Sequence, residues 1–195
     1  MKLARSSRPW VVGPLLAAGL LTVAKIWPLL GVALALAVLM AFFHRDPERA
    51  PPEEGMVSPA DGLVVEATDE KVAIFMSHLN VHVNRSPLEG RVVKVEHSGG
   101  GHRPAFFRSA SENERNLIAL DTPDGEVRLC QLTGFFVRRI VCYVRPGDLV
   151  ERGERIGMIR FGSRVEFSIP DGYVLRVALG DRVRAGETIV AVKKR

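Results

Sequence analysis

The feature that most constrains the fold of this chain is a short pattern that occurs twice in its second half. Residues 147–156 have the sequence Gly-Asp-Leu-Val-Glu-Arg-Gly-Glu-Arg-Ile, and residues 180–189 have Gly-Asp-Arg-Val-Arg-Ala-Gly-Glu-Thr-Ile. Both copies combine glycine and aspartate, which favour tight turns, with apolar residues that favour strands. A repeated unit of turn and strand predicts a β domain built from two similar halves.

A second, shorter repeat supports the same prediction. The segment Ser58-Pro-Ala-Asp-Gly-Leu-Val-Val recurs as Ser86-Pro-Leu-Glu-Gly-Arg-Val-Val and, in part, as Pro170-Asp-Gly-Tyr-Val. The longer repeat, Gly-Asp-x-Val-x-x-Gly-Glu, resembles the hammerhead turns of biotinyl and lipoyl carrier domains. That resemblance implies a compact, barrel-sandwich-like β domain with internal hairpin repeats.

The C-terminal part as a whole is typical of a mainly β protein. Short runs rich in β-branched residues lie between turn signals, and no long amphipathic helix is visible. These runs are residues 63–65, 72–76, 91–95, 127–132 and 137–144. A further turn and short apolar strand over residues 150–159 place the Gly162-Ser163 step at or near the end of a strand.

The N-terminal part differs, because its apolar residues are continuous. An apolar run over residues 11–24 is interrupted by Lys25 and resumes over residues 26–43. Since a membrane span needs ~20 apolar residues, we predict a hydrophobic helical membrane segment over residues 1–43. It is either a single span or a helical hairpin that turns near residues 25–28, and the hairpin is favoured. A signal peptide is not favoured, because no small-residue cleavage site follows the run.

Charge and proline content complete the expected organisation of the chain. Basic residues flank both ends of the apolar run, which by the positive-inside tendency predicts that both ends of a hairpin are cytoplasmic. A proline-rich, charged linker follows over residues 44–56, so the β domain spans residues 57–195. The formal charge of +5 suits an anionic membrane surface, and no nucleic-acid-binding motif is present.

The Gly162-Ser163 step is the candidate for chemistry. Glycine leaves its carbonyl unshielded, and the hydroxyl of the following serine can attack that carbonyl when a base removes its proton. Most Gly-Ser pairs, however, only form turns. Among the histidines of the β domain, His82 is the favoured base, because the alternating run over residues 80–85 would hold it on one face of a strand.

Four segments, taken together, are highly specific. They are residues 58–62 (Ser-Pro-Ala-Asp-Gly), 75–87, 113–116 (Asn-Glu-Arg-Asn) and 161–165 (Phe-Gly-Ser-Arg-Val). In this order they resemble the short form of the phosphatidylserine decarboxylase proenzyme family, archaetidylserine decarboxylase-like members included. The resemblance implies that the Gly162–Ser163 bond cuts itself and that Ser163 becomes an N-terminal pyruvoyl group. The products would be a β chain of residues 1–162 and an α chain of residues 163–195, held together as a heterodimer.

The same resemblance assigns roles to single residues. His82 matches the base for self-cleavage, and Asp61 matches the carboxylate that orients this base. Long-form members carry a second histidine at the position of Leu79, and His78 is its neighbour here. No metal or diffusible cofactor is expected. The candidates for binding the substrate or its phosphate are His78, Arg85, Arg138 and Arg139.

The activity implied by the resemblance is decarboxylation of phosphatidylserine to phosphatidylethanolamine in phospholipid biosynthesis. The pyruvoyl ketone would form a Schiff base with the substrate amine and accept the electrons left by departing carbon dioxide. The expected location is the cell (inner) membrane, with the catalytic domain on the cytoplasmic side. One alternative is a decarboxylase of an ether-lipid serine headgroup. Another, a membrane-tethered lipoyl- or biotinyl-like carrier, is disfavoured because no lysine lies in the setting that such domains modify.

Overall fold

The computed structural model describes residues 2–5, 7–99, 114–134, 139–160 and 163–194. The chain forms two compact units, Met1–Glu48 and Arg49–Arg195. The division between them falls inside the segment that the sequence predicts to be a linker. Gly162 and Arg138, two of the predicted site residues, lie outside the described residues.

The N-terminal unit consists of two helices joined by a short turn. Helix α1 spans Arg8–Val23 and helix α2 spans Trp27–Phe43. Leucine and alanine, which favour helices, fill both, and each helix has a proline in its first turn, where the missing N–H has no intrahelical partner to lose. Lys25 adopts a left-handed φ of 57° between them, which ends α1 and reverses the chain. The small residues buried within the two helices are Ala18, Ala33 and Ala37.

The expectation of a helical membrane segment at the N-terminus is wrong. The turn at Lys25 divides the apolar run, so that α1 has 16 residues and α2 has 17. A span needs ~20 apolar residues. Within the part of the chain that the structure describes, no helix is both long and apolar enough to cross a membrane. The hairpin interpretation located the turn correctly, but neither of the two helices that it separates is long enough to span a membrane.

The C-terminal unit is mainly β, as the sequence predicts. Its described residues form 14 strands, which follow the β-branched runs and their flanking turns. The first seven are β1 Met56–Val57, β2 Gly62–Ala67, β3 Lys71–Met76, β4 Val83–Arg85, β5 Gly90–Ser98, β6 Arg115–Thr122 and β7 Gly125–Thr133. The others are β8 Ile140–Cys142, β9 Leu149–Val150, β10 Arg155–Ile159, β11 Ser163–Ser168, β12 Tyr173–Leu175, β13 Arg182–Val183 and β14 Ile189–Lys193.

Three antiparallel sheets make up this unit. The largest has eight strands in the order β13-β2-β3-β11-β7-β6-β5-β9, and the smaller ones have the orders β1-β14-β12 and β4-β10-β8. Buried aliphatic and aromatic side chains from β3, β7 and β11 form the core between them, including Ile74, Leu129 and Phe167. Burial of such side chains is the main favourable term in folding. The strand order places β11, which begins at Ser163, in the middle of the largest sheet.

The two copies of the Gly-Asp pattern form matching turns at the two ends of the eight-stranded sheet. In each copy the first glycine has a positive φ, 98° at Gly147 and 93° at Gly180. The Gly147 N–H donates to the Val92 carbonyl at 2.8 Å, and the Gly180 N–H donates to the Val64 carbonyl at 2.9 Å. Each turn therefore joins a short edge strand to the same position of an equivalent inner strand. This supports the prediction of two similar halves.

Candidate active site

Ser163 occupies the first position of β11, four residues after the end of β10, whereas the sequence predicts only that it lies at or near the end of the preceding strand. Strands β3 and β7 pair with β11 on either side, and the residues opposite Ser163 are Met76 and Thr133. The serine is fully buried, and its Oγ lies 3.8 Å from the Met76 sulfur. Strand pairing on both sides therefore holds the backbone of Ser163 in place.

His82 lies at the end of a tight turn that follows β3. The side chain of Asn80 closes this turn by accepting hydrogen bonds from the N–H and the hydroxyl of Ser77, at 2.9 and 2.8 Å. His82 is fully buried, and its Nδ1 is 3.0 Å from the Asn80 carbonyl oxygen. Because a carbonyl oxygen only accepts, Nδ1 carries the hydrogen, and Nε2 is the basic nitrogen of the neutral ring. The ring is thus held in one tautomer.

The position of His82 differs in one respect from the sequence prediction. The alternating run predicts a strand face, whereas strand β4 begins only at Val83, and residues 81–86 are all buried. The backbone nevertheless ties His82 to the neighbourhood of Ser163. Its carbonyl accepts a hydrogen bond of 3.2 Å from the N–H of Ile159, the last residue of β10. Ile159 comes four residues before Ser163 in the chain, so this hydrogen bond ties the histidine backbone to the strand that precedes the serine.

Asp61 is held by a dense set of donors. Its carboxylate accepts two hydrogen bonds from the guanidinium of Arg49, at 2.5 and 2.9 Å, and one of 2.8 Å from the Ala185 N–H. A longer contact of 3.4 Å comes from the N–H of Val81, the residue before His82. The predicted orienting role of Asp61 stays a prediction. The contacts described here act on the backbone that leads to the histidine.

Arg49 is a site residue that the sequence analysis missed. Its side chain is largely buried, and it donates to the Ala185 carbonyl at 2.7 Å as well as to Asp61. A bidentate arginine–carboxylate pair combines charge with fixed geometry. The sequence offered only a weak signal, an arginine in a proline-rich segment, because its carboxylate partner comes from another turn. The start of the C-terminal unit is therefore part of the site.

A row of buried side-chain amides lies beneath Ser163. The Gln131 amide donates to the Asn84 Oδ1 at 2.8 Å, and the Asn116 amide donates to the Gln131 Oε1 at 2.9 Å. The Asn84 Nδ2 in turn lies 3.7 Å from the Met76 sulfur, which also contacts the Ser163 hydroxyl. Each amide fixes the orientation of the next.

Arg160 brings a buried cation close to the predicted cleavage site. Only 2% of its surface is exposed, although it lies just before residues 161 and 162 in the chain. Burial lowers the pKa of the Arg160 guanidinium, and the positive charge of Arg139 lowers it further. A cation in this setting favours negative charge on neighbouring groups.

The predicted substrate-binding residues lie in different surroundings. His78 and Arg139 are exposed, His78 in the turn after β3 and Arg139 just before β8. Arg85 is buried, and its guanidinium donates to the Gly153 carbonyl at 2.8 Å. Their roles stay predictions. Within the described residues, no group of three or more His, Cys, Asp or Glu side chains is arranged to hold a metal ion.

Comparison with known proteins agrees with the resemblance found in the sequence. The sequence model of the phosphatidylserine decarboxylase family matches residues 36–191. A phosphatidylserine decarboxylase proenzyme from Thermobifida fusca is 46% identical over 198 residues, which cover 96% of this chain and 91% of that protein. A Methanococcoides burtonii protein, provisionally named archaetidylserine decarboxylase proenzyme, is 43% identical over 201 residues, covering 98% of this chain and 97% of that protein. No solved structure matches the chain.

These similar proteins are named as decarboxylase proenzymes, the class that the four sequence motifs led us to expect. The chain belongs to the phosphatidylserine decarboxylase family. It is an enzyme of that decarboxylase class, and the family resemblance drawn from its motifs is confirmed.

Proposed function

We propose that this chain is a proenzyme that cuts its own Gly162–Ser163 bond and then converts phosphatidylserine to phosphatidylethanolamine. Family membership supports the activity. The observation that carries the self-processing is the position of Ser163, which is buried as the first residue of β11 between two paired strands. A nucleophile fixed beside its own preceding carbonyl needs no diffusive encounter to react.

Each step of the proposed cleavage can be assigned to groups of this chain. His82 takes the proton of the Ser163 hydroxyl through Nε2, while its Nδ1–H remains bonded to the Asn80 carbonyl. The Ser163 Oγ then attacks the Gly162 carbonyl carbon. The C–N bond breaks, the Ser163 nitrogen gains a proton, and an ester joins Gly162 to Ser163.

Elimination completes the separation of the two chains. A base removes the Ser163 Cα proton, the Cβ–Oγ bond breaks, and Gly162 leaves as a carboxylate. Addition of water to the remaining enamine and loss of ammonia give the ketone. His82 is the candidate for moving both protons, and Asp61 positions the backbone before it through the Val81 N–H.

Ser163 fits the proposed pyruvoyl group, because it lies at a chain position that becomes an N-terminus on cleavage and it is shielded from bulk water. That group would supply a ketone that condenses with the substrate amine and takes up the electrons left by carbon dioxide. The residues around it bind and orient the substrate. No metal is required in this scheme, and that expectation remains part of the proposal.

The sheet order supports the proposal that the two products stay together as a heterodimer. Residues 163–195 contribute β11, which lies between β3 and β7. They also contribute β13, which pairs with β2, and β14, which pairs with β1. Every one of these partner strands belongs to residues 1–162. Separation of the two chains would therefore break the core of the β unit.

An ether-lipid serine headgroup is a second candidate substrate. The support is that the archaeal relative named for archaetidylserine is about as similar to this chain as the bacterial relatives named for phosphatidylserine. Comparing kcat/KM on the two lipids in the same detergent decides between them. We also propose that the protein works at the cell membrane from the cytoplasmic side, since its proposed substrate is a membrane lipid and its net charge of +5 favours an anionic leaflet.

The intact mass of the denatured protein tests the self-processing. We expect two chains, residues 1–162 with an ordinary carboxyl end and residues 163–195 lighter than their sequence by one ammonia molecule. Ser163→Ala should remain a single chain without decarboxylase activity, because alanine has no hydroxyl to attack or eliminate. Ser168→Ala, at the other end of the same strand, is the matched control and should be cleaved like the wild type. A cleaved Ser163→Ala chain contradicts the proposal.

A further inference from the structure

A cleft of about 560 Å³ opens at the same end of the eight-stranded sheet as Ser163. Arg182 of β13 pairs with Leu63 of β2, which pairs with Phe75 of β3, and all three line the cleft. On the neighbouring position of β3, Met76 pairs with Ser163. Since adjacent strands lie ~4.8 Å apart, Arg182 is about 14 Å from Ser163 across the sheet. Residues that pair across an antiparallel sheet share a face, so Arg182, Leu63 and Phe75 lie on the face opposite to that of Met76 and Ser163. The cleft approaches the proposed catalytic residues at the strand ends, where Asp61 and Asn80 line it and the Asn80 carbonyl contacts His82 Nδ1.

The charges around this cleft favour an anion. Asp61 lines it, but the bidentate pair with Arg49 already balances the carboxylate. Arg184, also in the lining, has a side chain that is 76% exposed and lies 3.7 Å from Glu187, a loose pair that solvent screens. Arg182 is exposed, and within the described part of the chain its side chain has no ion pair or hydrogen bond. The cleft therefore offers guanidinium donors that a phosphate can use.

Apolar side chains lie at the same cleft. Leu79, in the turn after β3, is 62% exposed, and Leu63 is 39% exposed. Exposed leucines beside free cations match a ligand that carries both a phosphate and a hydrocarbon chain. The cleft volume also lies within the range usual for small-molecule sites, ~300–1,000 Å³. A larger cleft of about 960 Å³ lies on the β1-β14-β12 sheet. Its lining holds four basic residues, Arg152, Arg176, Lys193 and Lys194, and the acidic Glu53 and Glu54, but none of its lining residues belongs to β3 or β11.

We infer that the Arg182 cleft binds the phosphate of the lipid substrate, with Arg182 as the main phosphate ligand and Leu63 and Leu79 against the lipid chains. This inference rests on the proposed function and specifies where its substrate binds. It also gives the site a phosphate ligand other than Arg85, whose guanidinium is buried and engaged with the Gly153 carbonyl.

The first test uses steady-state kinetics on a water-soluble, short-chain phosphatidylserine. Arg182→Ala should raise KM ~10-fold or more and change kcat little, because the lost contact is made in the bound ground state. Arg182→Lys should recover part of the loss, and cleavage into two chains should be unaffected. Arg176→Ala removes an exposed arginine that lines the larger cleft, and it should have wild-type kinetics. Equal KM values for Arg182→Ala and Arg176→Ala overturn the inference.

A binding measurement separates this inference from the proposed function. The uncleaved Ser163→Ala protein is titrated with short-chain phosphatidylserine, with glycerophosphoserine and with inorganic phosphate. Adding Arg182→Ala should weaken the binding of short-chain phosphatidylserine and of glycerophosphoserine by a similar factor. Adding Leu79→Ser should weaken the binding of short-chain phosphatidylserine only, because only that ligand has hydrocarbon chains. Binding of inorganic phosphate alone would assign the cleft to a free anion and contradict the lipid site. A wild-type protein that binds the lipid but forms no phosphatidylethanolamine would contradict the proposed function and leave the cleft assignment standing.

Discussion

The two repeat halves of the β unit share a backbone but differ in what their turns hold. In one half the Gly153 N–H donates to the Ser86 carbonyl, and in the other the Gly186 N–H donates to the Ser58 carbonyl, both at 2.8 Å. The serine hydroxyls repeat as well. Ser86 Oγ donates to the Leu88 carbonyl at 2.6 Å, and Ser58 Oγ donates to the Ala60 carbonyl at 2.7 Å. The same hydrogen bonds thus build both halves.

The two halves differ at the residue that precedes glycine in the Ser-Pro-x-x-Gly segment. One half has Asp61, which is almost buried and bound by Arg49, whereas the other has the exposed Glu89. Arg152, in the second half, donates to the carbonyls of Pro52, Glu53 and Gly55. The comparison teaches that the duplicated turns supply a symmetric scaffold, and that the side chains predicted to take part in cleavage lie on one copy only.

Substitutions of the glycine in the Ser-Pro-x-x-Gly segment should destabilise the fold by a similar amount in both halves. A Cβ at Gly62 would lie 2.1 Å from the Phe75 carbonyl oxygen, and one at Gly90 would lie 2.5 Å from the Asp121 carbonyl oxygen. Because backbone must move in either case, Gly62→Ala and Gly90→Ala should each lower the free energy of unfolding by about 3 kcal/mol or more. The measurement is denaturant unfolding in the uncleaved Ser163→Ala background. Gly172→Ala, where φ is 81° and no atom lies within 4 Å, should cost only ~1–2 kcal/mol. A Gly90→Ala variant that is as stable as the parent protein would contradict the expectation that both halves depend equally on this glycine.

Substitutions of the residues proposed to act in cleavage should slow maturation in one half of the repeat only. Asp61→Asn should slow the appearance of residues 163–195 ~100-fold, because the neutral amide holds Arg49 and the backbone before His82 less firmly. His82→Ala should slow it further, since it removes the base itself. The exposed counterpart Glu89→Gln should mature at the wild-type rate. A time course by denaturing electrophoresis checks all three, with thermal unfolding to show that each variant is folded. Equal rates for the Asp61 and Glu89 variants would mean that the carboxylate has no role in cleavage.

The smallest expected effect on the maturation rate concerns Arg49, which is compared with Arg152 of the other half. Arg49→Ala should slow maturation ~10-fold, because it removes two charge-assisted hydrogen bonds from Asp61 and leaves that buried carboxylate with backbone donors alone. Arg49→Lys should restore part of the rate by keeping the charge. Arg152→Ala removes bonds to carbonyl oxygens only, and should leave the maturation rate unchanged. The same time course decides, and a slow Arg152→Ala would show that both arginines merely stabilise the fold.

Much of the fold could be predicted from local pattern. The β-branched runs at residues 72–76 and 127–132 became β3 and β7, because strand preference and turn residues agree there. The position of Ser163 at or near a strand end followed from the turn and strand before it. The turn near Lys25 was also predicted, whereas the membrane crossing was wrong, because the two helices have only 16 and 17 residues.

The site was predicted only in part, because its contacts join distant segments. Motifs identified Asp61, His82 and Ser163, but no local signal links Arg49 to Asp61 or Arg182 to Leu63. Arg85 shows the same limit from the other side. Its role as a substrate ligand stays a prediction, but nothing in its sequence context indicates that its guanidinium is buried and donates to the Gly153 carbonyl. Whether an arginine is exposed depends on tertiary packing, which pattern alone does not report.

The central position of β11 affects how the mature protein can unfold. Under the proposed cleavage, the fold forms from one chain and is then maintained by two, so unfolding of the mature form becomes a dissociation. Its equilibrium then depends on protein concentration, which that of the precursor does not. Once residues 163–195 leave their place between β3 and β7, the short chain must find its partner again by diffusion. The mature enzyme would therefore owe its lifetime to a slow rate of opening, and a strand in the middle of a sheet is well placed to make that rate slow.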